Sequence, residues 1–181
     1  MNRTIFIVFI WISIASCGQH LNKLVQDNDC ITDNPEYKPA EIPKNNNYSF
    51  VIHKDASLSL FPNGEQVMPQ IDNGNNLVFE YFYKKPVNPM MTDAGYEERI
   101  LFEINPQSDN FLLNGSELDS AKAVYGNLCF CIDGGYHPIT GGCIRGKKTG
   151  KNEWQIDMNI KAFGRSREFS KMLSEKFSVA E

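Results

Sequence analysis

The chain has 181 residues, a formal net charge of −4 and five cysteines. This length suits one domain of ordinary size, and a mildly acidic chain without a basic stripe is a poor binder of nucleic acid. We therefore expect no nucleic-acid partner. The densest group of cations, at Lys147, Lys148 and Lys151, is typical of a solvated turn between strands.

The N-terminal residues have the layout of an export signal. Arg3 precedes an almost uninterrupted apolar run from Ile5 to Ile14. This run is too short to cross a membrane, because a helix needs about 20 apolar residues to span the hydrocarbon core. A charged start, a short apolar stretch and then small residues are typical of a secretory signal peptide.

The end of this signal, Ile14-Ala15-Ser16-Cys17, resembles the lipobox of bacterial lipoproteins. In that family the cysteine thiol carries a diacylglyceryl group, the signal is cut before the cysteine, and the new amine is acylated. The resemblance implies that residues 1–16 are a signal peptide and that Cys17 is the lipidation site. Several acyl chains anchor a protein stably, since each buried methylene contributes about 0.8 kcal/mol. The alternative is an ordinary signal peptide with an incidental cysteine.

The residues after Cys17 indicate which membrane to expect. Gly18 stands where the inner-membrane retention signal of bacterial lipoproteins has an aspartate, so the resemblance implies the outer membrane. No acidic pair follows of the kind that resembles a surface-export signal in Bacteroidota, whose envelope lipoproteins this chain resembles. We therefore expect a lipid-anchored outer-membrane protein that faces the periplasm.

Residues 17–47 are predicted to form a flexible, lipidated tether. The stretch DNPEYKPAEIPKNNN combines prolines, asparagines and charges without a periodic apolar pattern. Such a composition packs little against a folded domain. The tether would let the folded part of the protein stand clear of the bilayer.

Residues 48–165 have an apolar period of two, which is typical of strands whose successive side chains point to opposite faces. In EWQIDMNIKAF one face carries Trp154, Ile156, Met158 and Ile160. ERILFEIN places Ile100, Phe102 and Ile104 on one face in the same way. Turn signals rich in Gly, Asn and Pro separate these runs. The pattern predicts an all-β domain, either an antiparallel sandwich or a small barrel.

The strand predicted from NLVFEYFYKK is apolar on both faces. One face carries Leu77, Phe79, Tyr81 and Tyr83. The opposite face includes Val78 and Phe82. Either both faces are covered, or some of the rings line a pocket or an interface.

The C-terminal residues 166–181 have a different pattern. Phe169, Met172, Leu173 and Phe177 lie at helical spacing, and Ser166 is available as an N-cap. This pattern predicts one amphipathic helix that covers an open end of the sheet.

With Cys17 assigned to lipid, four cysteines remain, Cys30, Cys129, Cys131 and Cys143. An even number in an oxidising compartment predicts two disulfides. One bridge would hold a hairpin, and the other would fasten the tether to the sheet. We expect no metal and no cofactor, although a zinc site formed by Cys129, Cys131, His137 and Cys143 is the alternative. Its C-x-C spacing departs from the usual C-x2-C.

The pairing of the cysteines follows from the strands to which they are assigned. A strand over AVYGNLCFCID and a returning strand over GCIRGKK place the three thiols on one face, opposite Leu128, Phe130 and Ile132. This arrangement favours Cys131–Cys143 with Cys129–Cys30, and Cys129–Cys143 with Cys131–Cys30 fits equally well. A Cys129–Cys131 bridge is expected least, because same-face neighbours on an extended strand lie too far apart.

The sequence predicts no enzyme. Glu97 and Glu98 are adjacent on a strand, so their carboxylates point to opposite faces and cannot share a site. Our first hypothesis is a non-catalytic, lipid-anchored envelope protein whose β domain binds a protein or glycan partner. The alternatives are a small carrier of an apolar ligand and an immunity-type lipoprotein that neutralises a delivered toxin.

Overall fold

The structure, a computed structural model, describes Cys30, residues 47–86 and residues 95–180. The predicted signal peptide, Cys17 and nearly all of the predicted tether lie outside these residues. The described part is mostly β structure with one short helix, which confirms the predicted all-β class. The strands are β1 Tyr48–Asn63, β2 Gln66–Asn73, β3 Asn76–Lys84, β4 Tyr96–Ile104, β5 Asn110–Asn114, β6 Val124–Cys129, β7 Gly135–Gly150, β8 Glu153–Phe163 and β9 Glu168–Val179, and the short helix α1 is Ser116–Ser120.

Seven of the strands form a closed ring of hydrogen-bonded neighbours, in the order β1-β3-β4-β6-β7-β8-β9. The ring closes where β9 runs parallel to β1, with Val51 opposite Ser178 and Ile52 opposite Val179. The other pairings within the ring are antiparallel. Strand β2 pairs with β1, and β5 pairs with β7. Inward-facing side chains from all seven strands of the ring therefore meet in one main core.

Strand β8 illustrates how the sequence period builds this core. Trp154, Ile156, Met158 and Ile160 are at most 2% exposed, as the alternation predicts. Phe79 stacks on Phe102 with ring centroids 4.9 Å apart, and its edge meets the ring of Trp154 at 5.7 Å. Each fully buried side chain of this size contributes about 1.5–3 kcal/mol. Aromatic side chains therefore fill the interior of the closed ring of strands.

The outer face of β3 and β4 is covered as well. Strand β1 pairs with β3 as far as Ala56, past a bulge between His53 and Ala56, and the hairpin of β1 and β2 then folds over the sheet. A second buried cluster lies beneath the hairpin and consists of Ala56, Leu58, Val78, Leu101 and Val124. Covering of both faces therefore explains the apolar Val78 on the second face of β3.

The predicted C-terminal helix over 166–181 is wrong, because most of these residues form β9. Phe169, Leu173 and Phe177 lie four positions apart, and a spacing of four fits the period of a strand as well as that of a helix. The three side chains point inward and are 8%, 2% and 0% exposed. Pairing with β8 along its whole length, from Glu153 to Phe163, selects the strand. The β domain thus continues beyond residue 165.

Candidate functional site

The connection between β6 and β7 is a short tip of residues 130–134 that exposes apolar side chains. Phe130 is 93% exposed and Ile132 is 69% exposed. The prediction that Leu128, Phe130 and Ile132 share the core face is wrong, because β6 ends at Cys129. Burying such a side chain contributes about 1.5–3 kcal/mol. The fold does not gain this stabilisation from either Phe130 or Ile132.

The four predicted disulfide cysteines form two bridges, Cys30–Cys143 and Cys129–Cys131. One bridge fastens Cys30 to β7, as the sequence predicts for the tether. The predicted pairing of Cys131 with Cys143 and of Cys129 with Cys30 is wrong, and so is its alternative. The bridge that was expected least is present.

The register of the β6–β7 hairpin explains the different pairing. Strand β7 begins at Gly135, which lies opposite Asn127 of β6. Cys143 lies farther along β7, opposite Asn114 of β5, and so lies away from the cysteines of the tip. It is 4% exposed and is bonded to Cys30, which is 1% exposed.

A bend of the chain brings Cys129 and Cys131 together. On an extended strand their Cα atoms would lie about 6.6 Å apart. In the structure the strand ends at Cys129 and the two Cα atoms lie 5.3 Å apart. The backbone N–H of Gly134 donates a hydrogen bond to the carbonyl oxygen of Cys131 at 3.0 Å, which closes the turn.

Asn127 lies beneath this disulfide and is fully buried. Its Nδ2 donates a hydrogen bond to the backbone oxygen of Asp133 at 3.2 Å. The same nitrogen lies 3.5 Å from Sγ of Cys129 and 3.7 Å from Sγ of Cys131. Its Oδ1 has no hydrogen-bond partner within the described part of the chain. One buried amide therefore contacts both sulfurs and the far side of the turn.

Asp133 fixes the tip to the turn between β8 and β9. Its carboxylate accepts hydrogen bonds from the backbone N–H of Ser166 at 2.7 Å and from its hydroxyl at 2.5 Å. Arg167 Nε lies 3.8 Å from the same carboxylate. The bonds from Ser166, with the charge of Arg167, lower the pKa of Asp133 from its ordinary value. Ser166, predicted as a helix N-cap, thus holds the tip instead.

Beside the tip lies an open cavity of about 360 Å³. Ile132 lines it together with Phe163, which is 59% exposed, and with the cation of Arg165. We call Phe130, Ile132, Phe163 and Arg165 the tip surface. Exposed aromatic and aliphatic side chains next to an arginine are typical of the central part of a protein interface.

A polar network lies inside the ring, around Glu98. Its carboxylate accepts hydrogen bonds from the hydroxyl of Tyr96 at 2.7 Å, from Lys171 Nζ at 2.5 Å and from the hydroxyl of Tyr81 at 3.2 Å. Burial raises the pKa of Glu98, but these bonds outweigh burial and lower it below its ordinary value. Burial and the neighbouring Glu98 raise the pKa of Tyr96 to about 12. The carboxylate is fully partnered, which is typical of a structural network.

Glu97 points to the opposite face, as predicted, and pairs with Lys84 at 3.1 Å. The residues of the alternative zinc site are not brought together, because Cys143 is bonded to Cys30. Within residues 47–86 and 95–180 and at Cys30, no group of three or more His, Cys, Asp or Glu side chains could hold a metal. The same residues contain no helix with the length and apolar character needed to span a bilayer.

Comparison of the chain with protein-family models, with curated proteins and with solved structures finds no match.

Proposed function

We propose that this chain is a non-catalytic, lipid-anchored envelope protein whose β domain binds a protein partner through the tip surface. The observation that carries the proposal is the exposure of Phe130, which is 93% accessible at a tip fixed on both sides. The disulfide Cys129–Cys131 holds one side, and the hydrogen bonds of Asp133 to Ser166 hold the other.

A tip that is ordered before binding favours affinity. Association costs about 0.5–1.5 kcal/mol for each flexible side chain that it orders, and a loop costs more. The Cys129–Cys131 disulfide and the carboxylate of Asp133 already order the tip during folding, so less conformational entropy is lost on binding. Such pre-organisation is expected of a recognition element and is of little use in a solvated turn.

The chemistry of the tip surface favours a protein over a glycan. Sugars are bound through dense hydrogen bonds to their hydroxyl groups. Phe130, Ile132 and Phe163 offer none, and the polar Asn63, Glu65 and Gln66 line only the cavity beside them. The first three residues offer apolar area, and Arg165 offers a charged rim, which together are typical of protein interfaces. The packed aromatic core likewise favours surface binding over the carriage of an apolar ligand inside the ring.

The anchor in this proposal is Cys17, and the segment between Cys17 and Cys30 limits its distance from the β domain. The Cys30–Cys143 bridge fastens residue 30 to β7. Cys17 and Cys30 are 13 positions apart, which corresponds to at most about 45 Å of extended chain. The tip would therefore act within a few tens of ångströms of the membrane surface.

Site-specific photo-crosslinking in the native envelope tests the proposal. A photoreactive phenylalanine analogue replaces Phe130 in the full chain, and the same analogue replaces Lys151 in the control variant. Lys151 is exposed in the β7–β8 turn, at the opposite end of β7 from the tip. We expect a discrete crosslinked protein at position 130 and none at position 151.

The binding of the crosslinked protein is then measured with purified components. Phe130→Ser should weaken it by roughly 10- to 150-fold. Ile71→Ser should leave it within about twofold, because Ile71 is also exposed but lies toward the end of β2 that is remote from the tip. Equal crosslinking at positions 130 and 151, or equal binding by the two serine variants, would refute the tip as the binding surface. Metabolic labelling with an alkyne fatty acid that persists in Cys17→Ser would refute the anchor.

A further inference from the structure

The two disulfides differ in their access to solvent. Cys30 and Cys143 are 1% and 4% exposed, and their bridge joins positions 113 apart. Cys131 is exposed and Cys129 is half-buried, and their bridge joins positions two apart at the end of a hairpin. Thiol–disulfide exchange requires a thiolate to reach a sulfur atom, so only the tip bridge is open to attack in the folded protein.

The environment of the tip bridge also suits a leaving thiolate. When a disulfide is attacked, negative charge develops on the sulfur that departs, and a lower pKa of that thiol speeds its departure. A hydrogen bond to the charged form lowers such a pKa. Asn127 Nδ2 is buried before the reaction begins and lies 3.5 Å from Sγ of Cys129 and 3.7 Å from Sγ of Cys131, so exposure distinguishes the two sulfurs. Cys131, being exposed, is then the sulfur that is attacked.

The residues between and beside the two cysteines are apolar. Phe130 and Ile132 alternate with Cys129 and Cys131, and these four residues line an open cavity next to the tip. An unfolded or extended polypeptide that carries cysteines also exposes apolar side chains. Contact with Phe130 and Ile132 would therefore bring its thiols to the bridge.

From these observations we infer that the Cys129–Cys131 disulfide is a two-electron oxidant for polypeptide dithiols, whereas the Cys30–Cys143 disulfide is structural. A substrate thiolate attacks Sγ of Cys131, the Cys129–Cys131 bond breaks, and Cys129 leaves as a thiolate that accepts the hydrogen bond from Asn127. The second substrate thiolate attacks the substrate sulfur of the mixed disulfide, and Cys131 leaves. The substrate loses two electrons and forms a disulfide, while the protein gains a dithiol. The two protons released by the substrate thiols protonate the protein sulfurs.

A reduced peptide with two cysteines is the probe, and the full chain is used in its oxidised form. We expect one equivalent of peptide disulfide per chain, with alkylation detected by mass spectrometry at Cys129 and Cys131 and not at Cys30 and Cys143. The double variant Cys129→Ser/Cys131→Ser should form no peptide disulfide. The peptide needs no membrane anchor and no natural partner, so this result is independent of the function proposed above.

Single substitutions test which sulfur is attacked. In Cys129→Ser the thiol of Cys131 remains, and it should form a mixed disulfide with an oxidised peptide at least tenfold faster than Cys129 does in Cys131→Ser. The inference is overturned if the wild-type chain forms no peptide disulfide, or if both bridges are reduced at the same rate. A faster reaction of Cys129 overturns the assignment of Cys131 as the attacked sulfur.

Discussion

The carboxylate of Asp133 accepts two hydrogen bonds from Ser166, one from the backbone N–H and one from the hydroxyl, at 2.7 and 2.5 Å. This contact joins the β6–β7 tip to the β8–β9 turn. Together with the Cys129–Cys131 bridge it gives the exposed Phe130 a fixed position. The order of the tip therefore depends on this charged group and this covalent bond, together with the hydrogen bond from the buried Asn127 to the backbone oxygen of Asp133.

The first prediction concerns the charge of Asp133. Asp133→Asn should increase amide hydrogen exchange at residues 130–135, because an uncharged amide accepts the two hydrogen bonds from Ser166 more weakly than a carboxylate does. The core strand β8 should keep its protection. Unchanged exchange at the tip would show that the charge of Asp133 does not order it.

The same group predicts a dependence on pH. The pKa of Asp133 is lower in the folded protein than its ordinary value of 3.8. The contribution of the carboxylate to the order of the tip is therefore fully present above that ordinary value and is lost as pH falls through the folded pKa. Exchange at the tip, corrected for the intrinsic effect of pH, should rise only below about pH 4 in the wild type. Asp133→Asn should show no such rise.

A second prediction compares two neighbouring carboxylates. Glu98→Gln removes the buried partner of Lys171 and should lower the free energy of unfolding by about 2–4 kcal/mol, because it leaves a partly buried ammonium without its counter-charge. Glu97→Gln is the matched control on the outer face and should cost less than about 1 kcal/mol. Urea denaturation of both variants gives the comparison. Equal losses would contradict a structural role for the network inside the ring.

The third prediction separates the two bridges by their effect on stability. Cys30→Ser/Cys143→Ser removes a bridge between positions 113 apart and should lower the free energy of unfolding by about 3–5 kcal/mol. Cys129→Ser/Cys131→Ser removes a bridge across two positions and should cost about 1–2 kcal/mol, because a short loop restricts the unfolded chain less. Guanidinium denaturation distinguishes them. A larger loss for the tip variant would reverse the assignment of the structural bridge.

A fourth prediction uses adjacent glycines at the bulge of β7. Gly142 has a φ of +82°, and a Cβ atom there would lie 1.9 Å from the backbone oxygen of Asn159. Gly142→Ala should therefore destabilise the fold by about 2–4 kcal/mol. At Gly141 the nearest atom to such a Cβ would be Cβ of Lys161, 3.4 Å away, so Gly141→Ala should cost under about 1 kcal/mol. Thermal unfolding of the two variants measures the difference in their stability. Similar unfolding midpoints would contradict the backbone conformation described for Gly142.

The sequence predicts those strands in which one face is buried and the other is wet. The alternation at Trp154, Ile156 and Met158 has one interpretation, since only a period of two fits it. The pattern at Phe169, Leu173 and Phe177 has two interpretations, because a spacing of four residues fits the period of a strand and that of a helix. The choice between helix and strand is made there by pairing with β8, which is a tertiary contact that the local sequence does not contain.

The tip could not be predicted by the same reasoning. Phe130 and Ile132 continue the alternation of Leu128, so the pattern extends the strand past Cys129 and predicts burial. The Gly134-Gly135 pair does indicate a turn, and the structure begins that turn several residues earlier. Where an apolar side chain is left in solvent, periodicity fails, because it assumes that every apolar face is buried. Such a failure is expected at sites of binding.

The most direct test of binding through the tip surface is the affinity of the crosslinked partner for the purified full chain carrying Phe130→Ser or Ile71→Ser. Loss of about 1.5–3 kcal/mol of apolar burial corresponds to a fall in affinity of roughly 10- to 150-fold. We expect a fall of this size for Phe130→Ser and a change below about twofold for Ile71→Ser. Equal affinity of the Phe130→Ser variant and the wild type would contradict the tip surface as the site of binding.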